Sequence, residues 1–271
     1  MQISLTMKRI LILLGVLVSL AAAQVVFGQV TEGVITYETK INLHRRIPKE
    51  REDMKAMVPE FRTTKEQLFF RGVESLYKPL IEDEEEDIVS TPGGGSFQMR
   101  MRMPNTETYI DQSTSLLLSK QEFMGKEYLI EDTLKMSPWK FGTEVKVIQG
   151  YECKQAYFMD ETQVIVMGQG PGTGGPAPAP QKQEITAWYT DKLRPFLGPD
   201  RFNTLPGAVL AVDINNGERV IVAQKIETRE LKKNELKKPV SGTKMTRAAY
   251  RKMVEEQMKN MGGGRGMIIR N

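Results

Sequence analysis

The stretch Ala187–Val212, AWYTDKLRPFLGPDRFNTLPGAVLAV, constrains the fold more than any other part of the chain. It reads as a strand, a long connection marked by Pro and Gly, and a second strand. Two strands are usually joined by about two to five residues. The connection from Asp191 to Leu205 is roughly three times that length, and an ordered loop so long needs a packing or functional reason. The sequence therefore predicts a segment that leaves a sheet, crosses its edge or mouth, and re-enters through the turn-forming pair Pro206-Gly207. The same stretch supplies candidate ligand- or partner-binding residues: Trp188, Tyr189, Leu205, Pro206, Gly207 and Val209. This apolar and aromatic set suits the wall of a pocket for an apolar molecule, or a surface for a partner protein.

Period-two alternation accounts for most of the rest. Gly33–Leu43, Thr64–Phe70, Glu74–Leu80, Phe97–Met103, Tyr109–Asp111, Ser115–Phe123, Glu127–Glu131, Val145–Ile148, Tyr151–Met159 and Ile185–Thr190 all read as strands, with Gly72, Gly125 and Gly150 at turns. Ala208–Ile214 and Glu218–Thr228 flank Asn215-Asn216-Gly217, a sequence that accepts the positive φ angles of a hairpin turn. Pro48–Pro59 reads as a short helical connection. The expected fold is mainly β: a curled antiparallel sheet or incomplete barrel over residues 29–230. Flexible insertions are expected near 82–96, where six acids precede a Pro/Gly cluster, and near 168–182, which is Gly- and Pro-rich. Residues 231–261 read as a basic linker and an amphipathic helix. Tyr250, Met253, Val254, Met258 and Met261 share one face of that helix, Thr246 can cap its start, and Gly262 begins a flexible tail to 271.

Residues 1–28 have the form of a signal peptide. Lys8 and Arg9 precede an apolar run, Ile10–Ala23, which is shorter than the about 20 residues a spanning helix needs. Export to the periplasm, the cell surface or the medium follows, with no transmembrane helix after the leader is removed. No cysteine lies near the cleavage region, which excludes a lipid anchor on cysteine. The whole chain has 38 Lys+Arg against 34 Asp+Glu, and two of the basic residues leave with the leader. A nearly neutral body does not suit nucleic-acid binding, whereas the basic C-terminal helix could meet an acidic surface.

Chemistry is limited by what the chain lacks. There is one cysteine, Cys153, and one histidine, His44. No internal disulfide can staple the fold, and no zinc site of the His/Cys type can be built. Neither cofactor nor metal is expected, and Cys153 lies in an ordinary strand pattern. Sixteen methionines leave one alternative: Met99, Met101 and Met103 set three thioethers on one strand face, a donor set that selects Cu(I). Methionine is also an adaptable core filler, which suits the same pattern. A second alternative is a cryptic hydrolase using paired carboxylates, although no pair stands in a distinctive apolar setting.

Several ordered motifs resemble the GLPGLI family of exported Bacteroidetes proteins. They are Gly33-Val34-Ile35-Thr36-Tyr37, Ser75-Leu76-Tyr77, Ile148 through Ala156 (IQGYECKQA), Ala187-Trp188-Tyr189-Thr190, Gly198-Pro199 and Leu205-Pro206-Gly207. The naming motif is degenerate here, reading Thr204, Leu205, Pro206, Gly207, Ala208, Val209. The resemblance implies an exported β protein without an established activity. It thus supports a non-enzymatic envelope protein that binds an apolar ligand or a partner protein on its curled sheet.

Overall fold

The computed structural model describes residues 31–47, 49–56, 58–80, 106–160 and 182–262. The leader, the acidic run Glu82–Asp87, the expected strand Phe97–Met103, the insertion at 168–181 and the tail beyond Gly262 lie outside the described residues.

Among the described residues twelve strands form one open sheet. In chain order they are β1 (Glu32–Asn42), β2 (Phe61–Arg71), β3 (Glu74–Pro79), β4 (Glu107–Asp111), β5 (Leu116–Phe123), β6 (Lys126–Thr133), β7 (Lys140–Ile148), β8 (Tyr151–Asp160), β9 (Gln183–Thr190), β10 (Ala208–Ile214), β11 (Arg219–Glu227) and β12 (Thr243–Thr246), followed by helix α1 (Arg247–Gly262). The spatial order is β12-β6-β5-β4-β3-β2-β1-β11-β10-β9-β8-β7, so the sheet has two ends and is not a closed barrel. Two short 3-10 helices, His44–Arg46 and Lys49–Ala56, connect β1 to β2. His44 Nε2 is spent there, donating to the Val58 carbonyl at 2.7 Å.

The hairpins follow the turn chemistry of the sequence. Ile148 pairs with Tyr151 around Gln149-Gly150, and Phe123 with Lys126 around Met124-Gly125. All four turn residues have positive φ, which matches the right-handed twist of the flanking strands. Asn215, Asn216 and Gly217 also have positive φ, but in a four-residue loop closed by the Ile214–Arg219 pair.

Each face of the sheet carries a core. On the first, Ile35, Tyr37, Leu68, Phe70 and Tyr77 pack with Ala156, Phe158, Ile185, Ala187, Tyr189 and the inward residues of β10 and β11, and Cys153 and Trp188 join the same cluster from the alternate positions of β8 and β9. On the second, Val34, Phe69, Leu76, Tyr109 and Leu118 stand directly opposite one another across five strands, one lateral apolar row. Leu231 and Leu236 cover it. The basic segment after β11 is therefore a packed strap and not a free linker. Its two leucines bury apolar area while the lysines around them stay solvated. Arg229 clamps this strap with a bidentate pair to Glu235 at 2.7 and 2.8 Å.

The strap ends in β12, which pairs parallel with β6, whereas every other strand pair is antiparallel. Parallel partners need a long connection, and here β7 to β11 and the strap all lie between β6 and β12 in the chain. The expected helix follows without a break. Thr246 Oγ1 accepts the Ala249 amide at 3.2 Å, Val254 is buried, and Tyr250 meets Tyr128 edge-on at 5.5 Å. The helix lies against β6 and β12 at one end of the sheet. No helix among the described residues is long and apolar enough to cross a membrane.

Candidate functional site

The long connection between β9 and β10 folds over the first face of the sheet. Leu193, Leu197, Phe202 and Leu205 enter the core and are almost completely buried. Arg194 donates to the Glu74 carbonyl on β3 at 2.9 Å, and Gln112, just after β4, donates to the Phe196 carbonyl at 3.0 Å. In a flat sheet β9 and β3 would lie about 24 Å apart, five strand spacings. The four residues from Thr190 to Arg194 reach at most about 14 Å. Only a fully extended arginine side chain could close that gap, and Arg194 is buried, so the contact fits a sheet that curls. The connection was expected to cross an edge or mouth; it crosses the face instead, because its leucines and Phe202 need a core to enter.

The return is held by short-range devices. The Val209 amide donates to the Leu197 carbonyl at 2.8 Å, and the Tyr37 hydroxyl to the Val209 carbonyl at 2.7 Å. A Cβ on Gly207 would sit 2.1 Å from the Thr190 carbonyl oxygen, and one on Gly198 1.9 Å from that of Phe202. Both glycines are required by close approach of backbone. Thr204 Oγ1 accepts from Trp139 Nε1 at 2.9 Å and from the Ser137 amide at 3.3 Å.

These placements fix the candidate binding residues. Leu205, Gly207 and Val209 are sealed in the first core, and Tyr189 is buried beside them. Trp188 is buried too, with the Lys146 ammonium 3.7 Å above its ring. Only Pro206 is exposed. The set is brought together, but as packed core and not as a surface open to a solute. Met99, Met101 and Met103 lie outside the described residues. Cys153 is fully buried, donates weakly to the Tyr151 carbonyl at 3.4 Å, and has its thiol pKa pushed up to about 11 by burial.

Among the described residues no group of three or more His, Cys, Asp or Glu is placed to hold a metal ion. Four carboxylates have a shifted pKa, and each is shifted down. Ser113 holds Asp111 as the anion, Lys120 holds Glu127, Lys154 holds Asp191 and Arg229 holds Glu235. That direction is opposite to the raised pKa of a carboxylic general acid. Arg194 was not singled out by the sequence. It is buried over the Phe70 ring with no carboxylate bonded to it among the described residues, and desolvation lowers its pKa to about 10. Its work is to join the connection to β3.

What remains open is the β7 end of the sheet. Among the described residues β7 has β8 on one side and no strand on the other. Phe141, Val145 and Val147 are 61, 55 and 74 % exposed. They pair with Ala156, Lys154 and Glu152, alternate residues of β8, so all three stand on one face. That face is continuous with the first core, since Ala156 is buried in it and Phe141 leans on Tyr189 at 6.1 Å. On the opposite face Tyr157 and Met159 are also exposed. Sequence reasoning found Val145–Ile148 as a strand but not its position, because alternation looks the same in an edge strand and a central one.

Known proteins can now be set against this geometry. Residues 139–211 match a family model described as "Protein of unknown function (Porph_ging)". The matched segment runs from β7 into β10 and contains the whole 191–207 connection and the edge strand β7. No curated protein matches the chain. Two solved structures of PNGF-II, in different space groups, align at 15 and 16 % identity with a TM-score of 0.49, covering 83 and 82 % of this chain and 33 and 32 % of theirs. The chain thus spans about a third of the length of those proteins.

Proposed function

We propose that this is an exported, non-enzymatic protein of the GLPGLI type that acts by binding a partner protein at the β7–β8 end of its sheet. The observation behind the proposal is the exposed row Phe141, Val145 and Val147 on an edge strand. An edge presents unpaired N–H and C=O groups, and soluble proteins blunt such edges unless they are used. A contiguous apolar patch there has the composition of an interface core. An apolar small molecule is the weaker choice of ligand, because Trp188, Tyr189, Leu205 and Val209 are packed against one another. Export is proposed from the leader, with its basic start and apolar run Ile10–Ala23.

Site-specific photocrosslinking in the producing cell tests both parts. A crosslinker at Val147 should give a discrete adduct in the envelope or secreted fraction, and one at Lys233 on the strap should not. Equal adducts from both positions, or retention of the uncleaved chain in the cytoplasm, would refute the proposal.

A further inference from the structure

We infer that the occupant of the β7 edge is a second copy of this chain, joined by antiparallel β7–β7 pairing about a two-fold axis at Val145. The inference rests on the partner-binding proposal and names the partner. The first ground is the asymmetry of the sheet ends. One end is closed by the four-residue β12, which runs directly into α1. The other is the nine-residue β7 with three exposed apolar side chains.

The second ground is charge register. In a two-fold antiparallel pair whose axis is normal to the sheet, opposed residues must lie on the same face. The axis then falls on a residue, never between two. Centring on Glu144 opposes two carboxylates, and centring on Lys146 opposes two ammonium groups. Both registers are unfavourable, since like charges directly opposite destabilise a sheet. Centring on Val145 opposes Val145 to Val145 and sets Glu144 against Lys146 twice, one pair on each side of the axis. Val145 and Val147 then meet diagonally across the seam, which continues the apolar face from one sheet into the next. The pairing of β7 with β8 is regular from Val145 to Ile148, with its bulge between Phe141 and Val145. The seam then runs along the regular half of the strand on one side of Val145 and into the irregular stretch that holds Glu144 on the other.

Sedimentation velocity on the purified mature protein tests the inference, with circular dichroism to confirm folding. The wild type should show a concentration-dependent monomer–dimer equilibrium. Val145→Lys should be monomeric. Glu144→Lys and Lys146→Glu alone should each weaken the dimer by about tenfold, since each sets like charges in two cross-strand pairs. The double variant Glu144→Lys/Lys146→Glu should restore the dimer. Should Val145→Lys fail to fold, the single and double charge variants decide the matter alone.

A wild type that stays monomeric at its highest soluble concentration overturns the inference, as does a dimer indifferent to all four variants. If the wild type is monomeric but the Val147 crosslink to another protein is lost in Val145→Lys, the second copy is refuted and the partner-binding proposal stands. If that crosslink is also unchanged, both fail.

Discussion

Trp139 donates its indole N–H to the hydroxyl of Thr204 at 2.9 Å, tying the segment before β7 to the residue that opens the degenerate turn motif. The same oxygen takes the Ser137 amide, and Trp139 packs edge-on to Phe158 at 4.6 Å. Thr204 thus does what a residue without a side-chain oxygen cannot. Its side chain binds the chain that leads into the open edge strand.

Thr204→Val keeps the shape and removes the acceptor. It should cost about 1 kcal/mol of unfolding free energy, the size of one lost and partly uncompensated hydrogen bond. Thr204→Gly should cost more by emptying a packed site. Urea denaturation of the three proteins gives the order directly. A valine variant as stable as the wild type would mean that the bond carries nothing.

Gly207→Ala should destabilise by about 3 kcal/mol, because its Cβ would lie 2.1 Å from the Thr190 carbonyl oxygen and one of the two backbones must move. Gly72 is the control. It has φ +53° with open space around it, so Gly72→Asn should change stability by well under 1 kcal/mol. Thermal denaturation of both variants separates close approach from turn conformation as the reason for glycine.

Cys153 should resist alkylation in the folded protein. With no exposed surface and a pKa raised to about 11, almost no thiolate is present or reachable at pH 8. Iodoacetamide labelling followed by mass spectrometry should show modification only after denaturant is added. Rapid labelling of the native state would mean that the β8–β9 region opens.

The Arg229–Glu235 clamp should make the strap after β11 sensitive to acid. Glu235 is held at about 2 against an ordinary 4.5, chiefly by hydrogen bonding to Arg229. A carboxylate with a depressed folded-state pKa stabilises the fold fully above the unfolded value and loses that contribution as pH falls toward the folded one. The stability difference between wild type and Glu235→Gln should be constant above about pH 5 and shrink steadily below pH 4.5 toward pH 2. Both members are partly solvated, which keeps the effect small. Amide exchange at Leu231 and Leu236 measured across that range would register the loosening locally.

Much of the fold was legible from local pattern. Alternation located most strands, glycine and asparagine marked the turns, and the spacing of Tyr250, Met253 and Val254 marked the helix. These features are encoded within a few residues of themselves. β12 was not found, because Thr243-Lys244-Met245-Thr246 carries no strong strand signal and pairs only once the strap has brought it beside β6. The strap itself read as a linker because its lysines outnumber its leucines, and only the apolar row beneath gives Leu231 and Leu236 a place to go. The sequence offered Trp188, Tyr189, Leu205 and Val209 as part of a ligand- or partner-binding set. Aromatic and aliphatic residues look alike whether they face a ligand or each other.

The sequence by itself determined that this is a β protein stabilised without disulfides, with one over-long connection that needs a core or a job. Only the tertiary structure decided which. Curling brings β3 and β4 within reach of the connection, so its apolar residues are consumed by packing. At β7 the sheet simply ends, leaving Phe141, Val145 and Val147 uncovered. Exposure depends on what stands on the far side of a strand, and that neighbour is set by long-range pairing, which local pattern does not encode.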